Sequence, residues 1–170
     1  SLIWFHAASV GEMMSIVPLI KEFERNKKIK KILLTTTTTS SANLFGKFNF
    51  KKTKHKYFPI DTNFFASKFV KFWRPNLAIF VQSEIWPNMF KELNSKKIPI
   101  ILLNARITKK SFKKWIKLEK FSNNIFNKIS LALPQNIETS KYLRILGVKN
   151  IRLSGNLKYY GDKIKKYKKA

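Results

Sequence analysis

The chain has 170 residues, a usual length for a single domain with a buried core. Hydrophobic residues make up 44% of it and aromatic residues 14%, which excludes an intrinsically disordered chain, and the lack of cysteine excludes disulfides, thiolate metal sites and cysteine nucleophiles. Its 35 lysine and arginine residues against nine acidic residues give a net charge of +26, which favours anionic partners such as phosphate, nucleic acid or anionic lipid. The lysine excess typical of an AT-rich genome is the alternative explanation.

Short apolar runs, typical of buried β-strands, alternate along the chain with longer stretches of helical periodicity. The predicted strands span residues 2–6, 31–37, 56–60, 76–82, 98–104, 129–134 and 150–153. The predicted helices span residues 13–23, 41–48, 63–73, 87–93, 111–126 and 137–146. This alternation predicts an α/β fold with a Rossmann-like, doubly wound parallel sheet of about seven strands.

Three details of this pattern lead to further expectations. Pro18 should kink the first helix or mark its true start. The run Leu77–Val81 has no polar residue to face water, so it should lie in the centre of the sheet. Residues 158–170 are rich in lysine and have no apolar face, so we expect a domain over residues 1–157 followed by a basic tail or the start of a linker.

Small, hydroxylic and acidic residues follow the predicted strands, whereas the loops at the other end of the sheet are mostly lysine and asparagine. The residues after the strands are Ser9, Gly11, Glu12, Thr38, Ser41, Asp61, Gln82, Glu84 and Arg106. Ligands of doubly wound sheets bind outside the carboxyl ends of the strands. This asymmetry therefore predicts a binding site at that edge.

Glu12 has two interpretations. The spacing of Ser9 and Glu12 is that of a capping box, in which the carboxylate accepts from the amide at the helix start, and the pattern by itself favours this role. Alternatively, Gly11 lets a ligand approach the backbone, and the helix N-terminus keeps Glu12 ionised, as a general base must be. The spacing alone does not decide between them.

Other polar residues have similar pairs of interpretations. The threonine-rich run at residues 35–41 is suited to cradle a phosphate, or it is a strand end followed by a helix cap. Trp86 is more often a core residue than a platform for a sugar. His6 and His55 are not at metal-ligand spacing, and we predict no metal site; a triad of His6 with Ser9 and Asp61 has no support from the spacing.

Basic residues recur at steps of three or four between Arg106 and Lys120, with aromatic and aliphatic residues between them. This pattern is typical of a basic amphipathic helix that lies on an anionic membrane surface, and it marks Lys109, Lys113 and Lys117 as membrane-facing. The alternative is an ordinary helix with one solvated face and one core face.

Together, five segments resemble the N-terminal domain of 3-deoxy-D-manno-octulosonic acid (Kdo) transferases. They are FHAASVGE at residues 5–12, SEIWPN at 83–88, NAR at 104–106, QN at 135–136 and GNLK at 155–158. The resemblance implies the N-terminal half of a two-domain, metal-independent GT-B glycosyltransferase without a cofactor. Such an enzyme moves Kdo from CMP-Kdo to the lipid A precursor (lipid IVA) in lipopolysaccharide biosynthesis, with inversion, at the cytoplasmic face of the inner membrane. The first domain binds the acceptor and the second binds most of the donor.

The resemblance also assigns roles to individual residues. Glu12 matches the family's general base, which reverses the preference for a pure cap. Glu84 matches the second acidic residue of the family's E-[ST]-E-[IL]-W-P-N motif, whereas the first is Gln82 here, which can form hydrogen bonds but carries no charge. Ser41 stands where the family usually has glycine. The residues after the strands, from Ser9 to Arg106, are then expected to bind the acceptor.

Two consequences and two alternatives complete the hypothesis. The family's N-terminal membrane-anchoring segment and its donor domain have no counterpart in these 170 residues, so we expect the chain to be inactive by itself. One alternative is a nucleic-acid-binding module, which would explain the charge but not the acidic residues at one sheet edge, and arginine, which leads in base readout, is scarce. The other alternative is a GT-B enzyme with a soluble acceptor.

Overall fold

The computed structural model describes residues 1–153, which form a parallel sheet flanked by helices. The strands are β1 (Leu2–His6), β2 (Lys31–Thr36), β3 (Thr53–Tyr57), β4 (Leu77–Val81), β5 (Ile100–Ala105) and β6 (Leu131–Pro134). The helices are α1 (Val10–Arg25), α2 (Thr39–Phe45), α3 (Asn63–Trp73), α4 (Pro87–Ser95), α5 (Lys109–Ile116), α6 (Glu119–Phe126) and α7 (Ile137–Leu146). The predicted boundary at residue 157 and the basic tail lie outside the described residues.

The six strands pair in the order β3-β2-β1-β4-β5-β6, and every pair is parallel. This order confirms the predicted doubly wound, Rossmann-like sheet. It also confirms the central position of β4, three of whose five residues are fully buried. Helices α1 and α2 pack on one face of the sheet around Phe5, Met13 and Ile16, and the helices after β3 pack on the other face around Trp4, Phe80 and Phe90.

Two strand predictions need correction. The third strand covers Thr53–Tyr57 rather than residues 56–60, because it is an edge strand whose residues are largely exposed, so the apolar run lies just beyond it. The expected strand at residues 150–153 is reduced, within the described residues, to a single bridge between Ile151 and Ala132. The described part of the sheet therefore has six strands.

Helix α1 begins at Val10, so the suggestion that Pro18 marks its start is wrong. Ser9 caps the helix, since its hydroxyl accepts from the Glu12 amide at 3.3 Å. Pro18 lies inside the helix on its exposed side, and Met14, whose carbonyl lacks its usual partner there, is 43% exposed. Both residues therefore lie on the solvent side of α1, where a missing backbone hydrogen bond costs less than in the core.

The predicted helix over residues 111–126 is divided into two helices, α5 and α6. The predicted basic amphipathic helix is interrupted at the same break. Leu118 has non-helical backbone angles of φ −115° and ψ 53°. The Ser122 hydroxyl donates to the Trp115 carbonyl at 2.5 Å and so satisfies the end of α5. Lys109 and Lys113 are exposed on α5, whereas Lys117 lies at its C-cap.

Among the described residues, no helix is long and apolar enough to cross a membrane. The longest helix is α1, with 16 residues, and it carries several charged side chains. The core instead comes from the two faces of the sheet, each covered by amphipathic helices.

Glu24 links the end of α1 to the start of β3. Its carboxylate accepts from the Lys51 amide at 2.9 Å, the Lys52 amide at 2.8 Å and the Thr53 hydroxyl at 2.7 Å. Burial alone would raise the pKa of this carboxyl, but these hydrogen bonds outweigh burial and hold the pKa below its ordinary value. The ionised form therefore stabilises the edge of the sheet.

We expect Glu24→Gln to lower the free energy of unfolding at pH 7 by about 1 kcal/mol, because a partly exposed carboxylate is screened by solvent. A lowered folded-state pKa gives stability that is present above the unfolded-state pKa and is lost as the pH falls through the folded-state pKa. Urea unfolding should therefore show the difference between the two proteins shrinking below about pH 4. Glu22→Gln, in an exposed pair with Arg25, is the control for removing a surface carboxylate from the same helix. A Glu24→Gln difference that stays constant with pH would contradict the assignment.

Candidate functional site

The strand order reverses its direction of growth between β1 and β4, which lie side by side at the centre of the sheet. Helix α1 follows β1 on one face, and α4 follows β4 on the other face. A crevice opens at such a switch point, outside the carboxyl ends of the two strands. The loops after β1 and β4 carry Glu12 and Glu84, so the topology brings the two predicted carboxylates to the same crevice.

Glu12 lies in the first turn of α1, where both interpretations of the sequence are visible. Its Oε2 accepts from the Ala8 amide at 2.8 Å, one residue earlier than a capping box requires, while Ser9 caps the Glu12 amide. The Ala8 carbonyl in turn accepts from the Thr37 hydroxyl at 2.9 Å. The carboxylate is therefore oriented by a loop that is itself tied to the end of β2.

Gly11 is exposed beside this carboxylate, and a Cβ built on it would meet no atom within 4 Å. The fold itself therefore does not require glycine at this position by steric crowding. The open space is suited to a ligand that approaches the start of α1, whose amides favour anionic or strongly polar groups.

Glu84 is held by two donors from different parts of the chain. Its Oε2 accepts from His6 Nε2 at 2.9 Å and from the Trp86 indole nitrogen at 2.8 Å. His6 is fully buried, whereas the Glu84 side chain keeps 14% of its surface exposed. Since an ionised carboxylate only accepts hydrogen bonds, the hydrogen on Nε2 points to Glu84 and fixes the carboxylate at the mouth of the crevice.

The buried side of His6 continues this network into the sheet. Its Nδ1 lies 3.0 Å from the Thr35 hydroxyl, and the same hydroxyl accepts from the Trp4 indole nitrogen at 2.9 Å. Phe58 packs against the imidazole with 4.0 Å between ring centroids and also contacts Trp86, with 4.9 Å between ring centroids. Trp86 is thus a half-buried partner of Glu84, and His6 pairs with Thr35 and Glu84 rather than with Ser9 and Asp61.

The ends of β4 and β5 carry an unusual backbone. Gln82 and Asn104 have φ values of +59° and +51°, in the left-handed region that costs a non-glycine residue about 1 kcal/mol or more. Backbone bonds join the two ends: the Gln82 amide donates to Leu103, and the Arg106 amide donates to the Gln82 carbonyl at 3.4 Å. Gln82 is half-buried and Arg106 is exposed beside the crevice. The other non-glycine residues with positive φ among the described residues, Arg74 and Lys97, precede β4 and β5 at the opposite edge of the sheet.

Three predicted acceptor-binding residues make structural contacts. Asp61 caps α4, with Oδ1 accepting from the Met89 amide at 2.8 Å and Oδ2 from the Asn88 amide at 3.1 Å. Thr38 caps α2 and lies 2.7 Å from the buried Ser41 hydroxyl. The capping interpretation of the threonine-rich run is therefore the one that the contacts support, and direct ligand contacts by these three residues stay predictions.

Sequence patterns place Glu84 in the site but do not show its connection to His6. That connection depends on β1 and β4 being neighbours, which residue spacing does not specify. Within residues 1–153, no group of three or more histidine, aspartate and glutamate side chains is placed to hold a metal ion. The crevice itself offers oriented carboxylates beside a helix N-terminus.

Residues 1–160 match the family model described as 3-deoxy-D-manno-octulosonic-acid transferase (kdotransferase). The chain is 35% identical over 164 residues to the 3-deoxy-D-manno-octulosonic acid transferase of Rickettsia prowazekii and 37% identical over 164 residues to that of Rickettsia felis. Each match covers 96% of this chain and 35% of the relative, so the chain spans about a third of their length.

Solved structures support the fold. The UDP-N-acetylglucosamine 2-epimerase from Rickettsia bellii superposes with a TM-score of 0.67 at 15% identity. The match covers 99% of this chain and 49% of the epimerase. At this identity the likeness concerns the fold alone, and it agrees with the expectation that the chain forms one half of a GT-B fold.

We expect Asp61→Ala to lower the free energy of unfolding by about 1–2 kcal/mol, because two amides at the start of α4 lose their acceptor. Chemical denaturation followed by circular dichroism measures the change. Glu22→Ala is the control, since its exposed pair with Arg25 should contribute less than about 0.5 kcal/mol. Equal stability of the Asp61→Ala protein and the wild type would mean that the cap is not stabilising.

Proposed function

Because the chain belongs to the 3-deoxy-D-manno-octulosonic-acid transferase family, we propose that it is the acceptor-binding half of an inverting glycosyltransferase of lipopolysaccharide biosynthesis. The donor is CMP-Kdo, and the acceptor is the lipid A precursor at the cytoplasmic face of the inner membrane. The observation that carries this proposal is the oriented Glu12 carboxylate at the switch-point crevice, with open space beside it at Gly11.

In the proposed reaction, Glu12 takes the proton from the attacking hydroxyl of a glucosamine residue. The hydroxyl oxygen bonds to the anomeric carbon of Kdo as the bond from that carbon to the CMP phosphate breaks, and CMP leaves with the bonding electrons. Attack from the face opposite CMP inverts the anomeric carbon. The Ala8 amide fixes the carboxylate for this step, and no metal or cofactor takes part beyond the donor.

Glu84 is proposed to bind a hydroxyl of the acceptor sugar. His6 and Trp86 occupy its Oε2, and they hold the carboxylate in one orientation before the acceptor arrives. Gln82 and Arg106 flank the same position on the ends of β4 and β5, and Ser9 and Gly11 flank Glu12. Lys109, Lys113 and Lys117 are proposed to face the anionic membrane surface.

We expect the 170-residue chain by itself to transfer no Kdo, because most donor contacts belong to the family's second domain. A chimera in which the chain replaces the matching region of the Rickettsia prowazekii relative should transfer Kdo to lipid IVA, detected as a mass shift of the lipid. Activity of the isolated chain would contradict the division of labour. A folded chimera that used only a water-soluble glucosamine disaccharide would support the soluble-acceptor alternative.

In that chimera, Glu12→Gln should reduce turnover by about 10²-fold or more, the usual scale for loss of a general base. Glutamine keeps an oxygen that can accept from the Ala8 amide, so thermal stability should change little. Glu138→Gln in the first turn of α7 is the matched control, since it makes the same change at another helix start and should leave turnover intact. Near-normal turnover of the Glu12→Gln chimera would leave Glu12 with its capping role alone.

A further inference from the structure

Helix α3 presents aromatic side chains to solvent. Phe64 is 69% exposed, Phe72 76% and Phe65 43%, and Ile60, just before the helix, is 71% exposed. The core face of α3 consists of the buried Ala66 and Val70, with Phe69 and Trp73 partly buried against the core. Soluble proteins scatter single apolar side chains over the surface, whereas a contiguous exposed patch indicates an interaction site.

Basic side chains share this outward face. At 100° per residue, Lys68 and Lys71 fall between and beside Phe64 and Phe72 on the helix circumference, and both lysines are exposed. At the C-terminal end of α3, an open pocket of about 360 Å³ has further cations in its lining. Its lining residues are Val70, Lys71, Arg74, Pro75, Lys96 and Ile98.

We propose that this α3 face, defined by Ile60, Phe64, Phe65, Lys68, Lys71 and Phe72, docks on an anionic lipid bilayer. The phenyl rings enter the boundary between headgroups and acyl chains, and the lysine stems extend so that their ammonium groups stay at the lipid phosphates. This proposal rests on the proposed function, because a lipid acceptor requires the enzyme to meet a membrane. It adds the surface that makes the contact.

The composition of the face favours lipid over a protein partner. Aromatic and cationic side chains alternate along one short convex helix, whereas the core of a protein interface is depleted of lysine. The net charge of +26 adds attraction to an anionic surface. A second copy of the same chain would bring its own Lys68 and Lys71 against these lysines, which disfavours self-association through this face.

The position of α3 also suits this role. A helix that follows a parallel strand begins at the carboxyl edge of the sheet, so Ile60 and Phe64 lie at the edge that carries Glu12 and Glu84. Docking by α3 therefore brings the crevice close to the headgroups. By contrast, Phe112, Trp115 and Ile116 of α5 pack against the core, so α5 contributes exposed lysines but no inserting side chains from its aromatic residues.

The test is co-sedimentation of the intact chain with vesicles of phosphatidylcholine and phosphatidylglycerol that contain no sugar acceptor or donor. Phe64→Ser with Phe72→Ser should reduce the partition coefficient about tenfold or more at every salt concentration. Lys68→Gln with Lys71→Gln should reduce it about fivefold per lysine at low salt, and the effect should fade as salt rises. Circular dichroism confirms that each variant is folded.

Matched variants identify the surface. Ile137→Ser with Ile145→Ser removes two exposed side chains of α7 and should leave binding unchanged. Unchanged binding of the phenylalanine variant would overturn the proposal. A wild-type dimer that the phenylalanine variant converts to a monomer in sedimentation would also overturn it, since the face would then join two copies. Glu12→Gln should bind vesicles like the wild type. Loss of vesicle binding therefore tests the α3 proposal separately from loss of transferase activity.

Because the chain has no cysteine, a single Phe64→Cys substitution can carry an environment-sensitive fluorophore. Its emission should shift to the blue on anionic vesicles, and spin labels attached near the top of the acyl chains should quench it. The same label at Ile145→Cys is the control and should stay in water. A water-like emission from the residue 64 label on bound protein would overturn insertion by α3.

Discussion

The arrangement of the molecule depends on the hydrogen bonding of β1 to β2 on one side and β4 on the other. Parallel strands require crossover connections, and right-handed crossovers from the middle of the sheet send the first two helices to one face and the later helices to the other. The loops after β1 and β4 must then separate at the centre of the sheet. The crevice that holds Glu12 and Glu84 is a consequence of this strand order.

The buried polar network at the same place joins three strands through side chains. Thr35 of β2 meets His6 of β1, and His6 meets Glu84 beyond β4. An imidazole buried without partners would be costly, and here each nitrogen faces one. The network therefore specifies how the strand ends sit relative to each other, and it transmits that order to a partly exposed carboxylate.

The sequence predicted most of the fold and only part of the site. Buried strands such as β4 read as continuous apolar runs, and helix starts such as Ser9 carry capping residues, so local patterns were enough. The position predicted for the third strand was wrong because the exposed residues of the edge strand β3 lack an apolar pattern. The pairing of His6 with Glu84 was out of reach because it depends on strand order. The exposed rings of α3 were missed because a helix rich in phenylalanine suggests a core face, and only packing shows which rings remain outside.

The exposed edge of β3 has a consequence for the behaviour of the chain in concentrated solution. Its outer backbone groups form a template on which another chain could add a strand, and the neighbouring strands are highly apolar. Lys54 and Lys56 are both exposed along this edge. Two such edges repel each other, so these lysines protect the protein against edge-to-edge aggregation. Part of the lysine excess thus keeps the molecules apart.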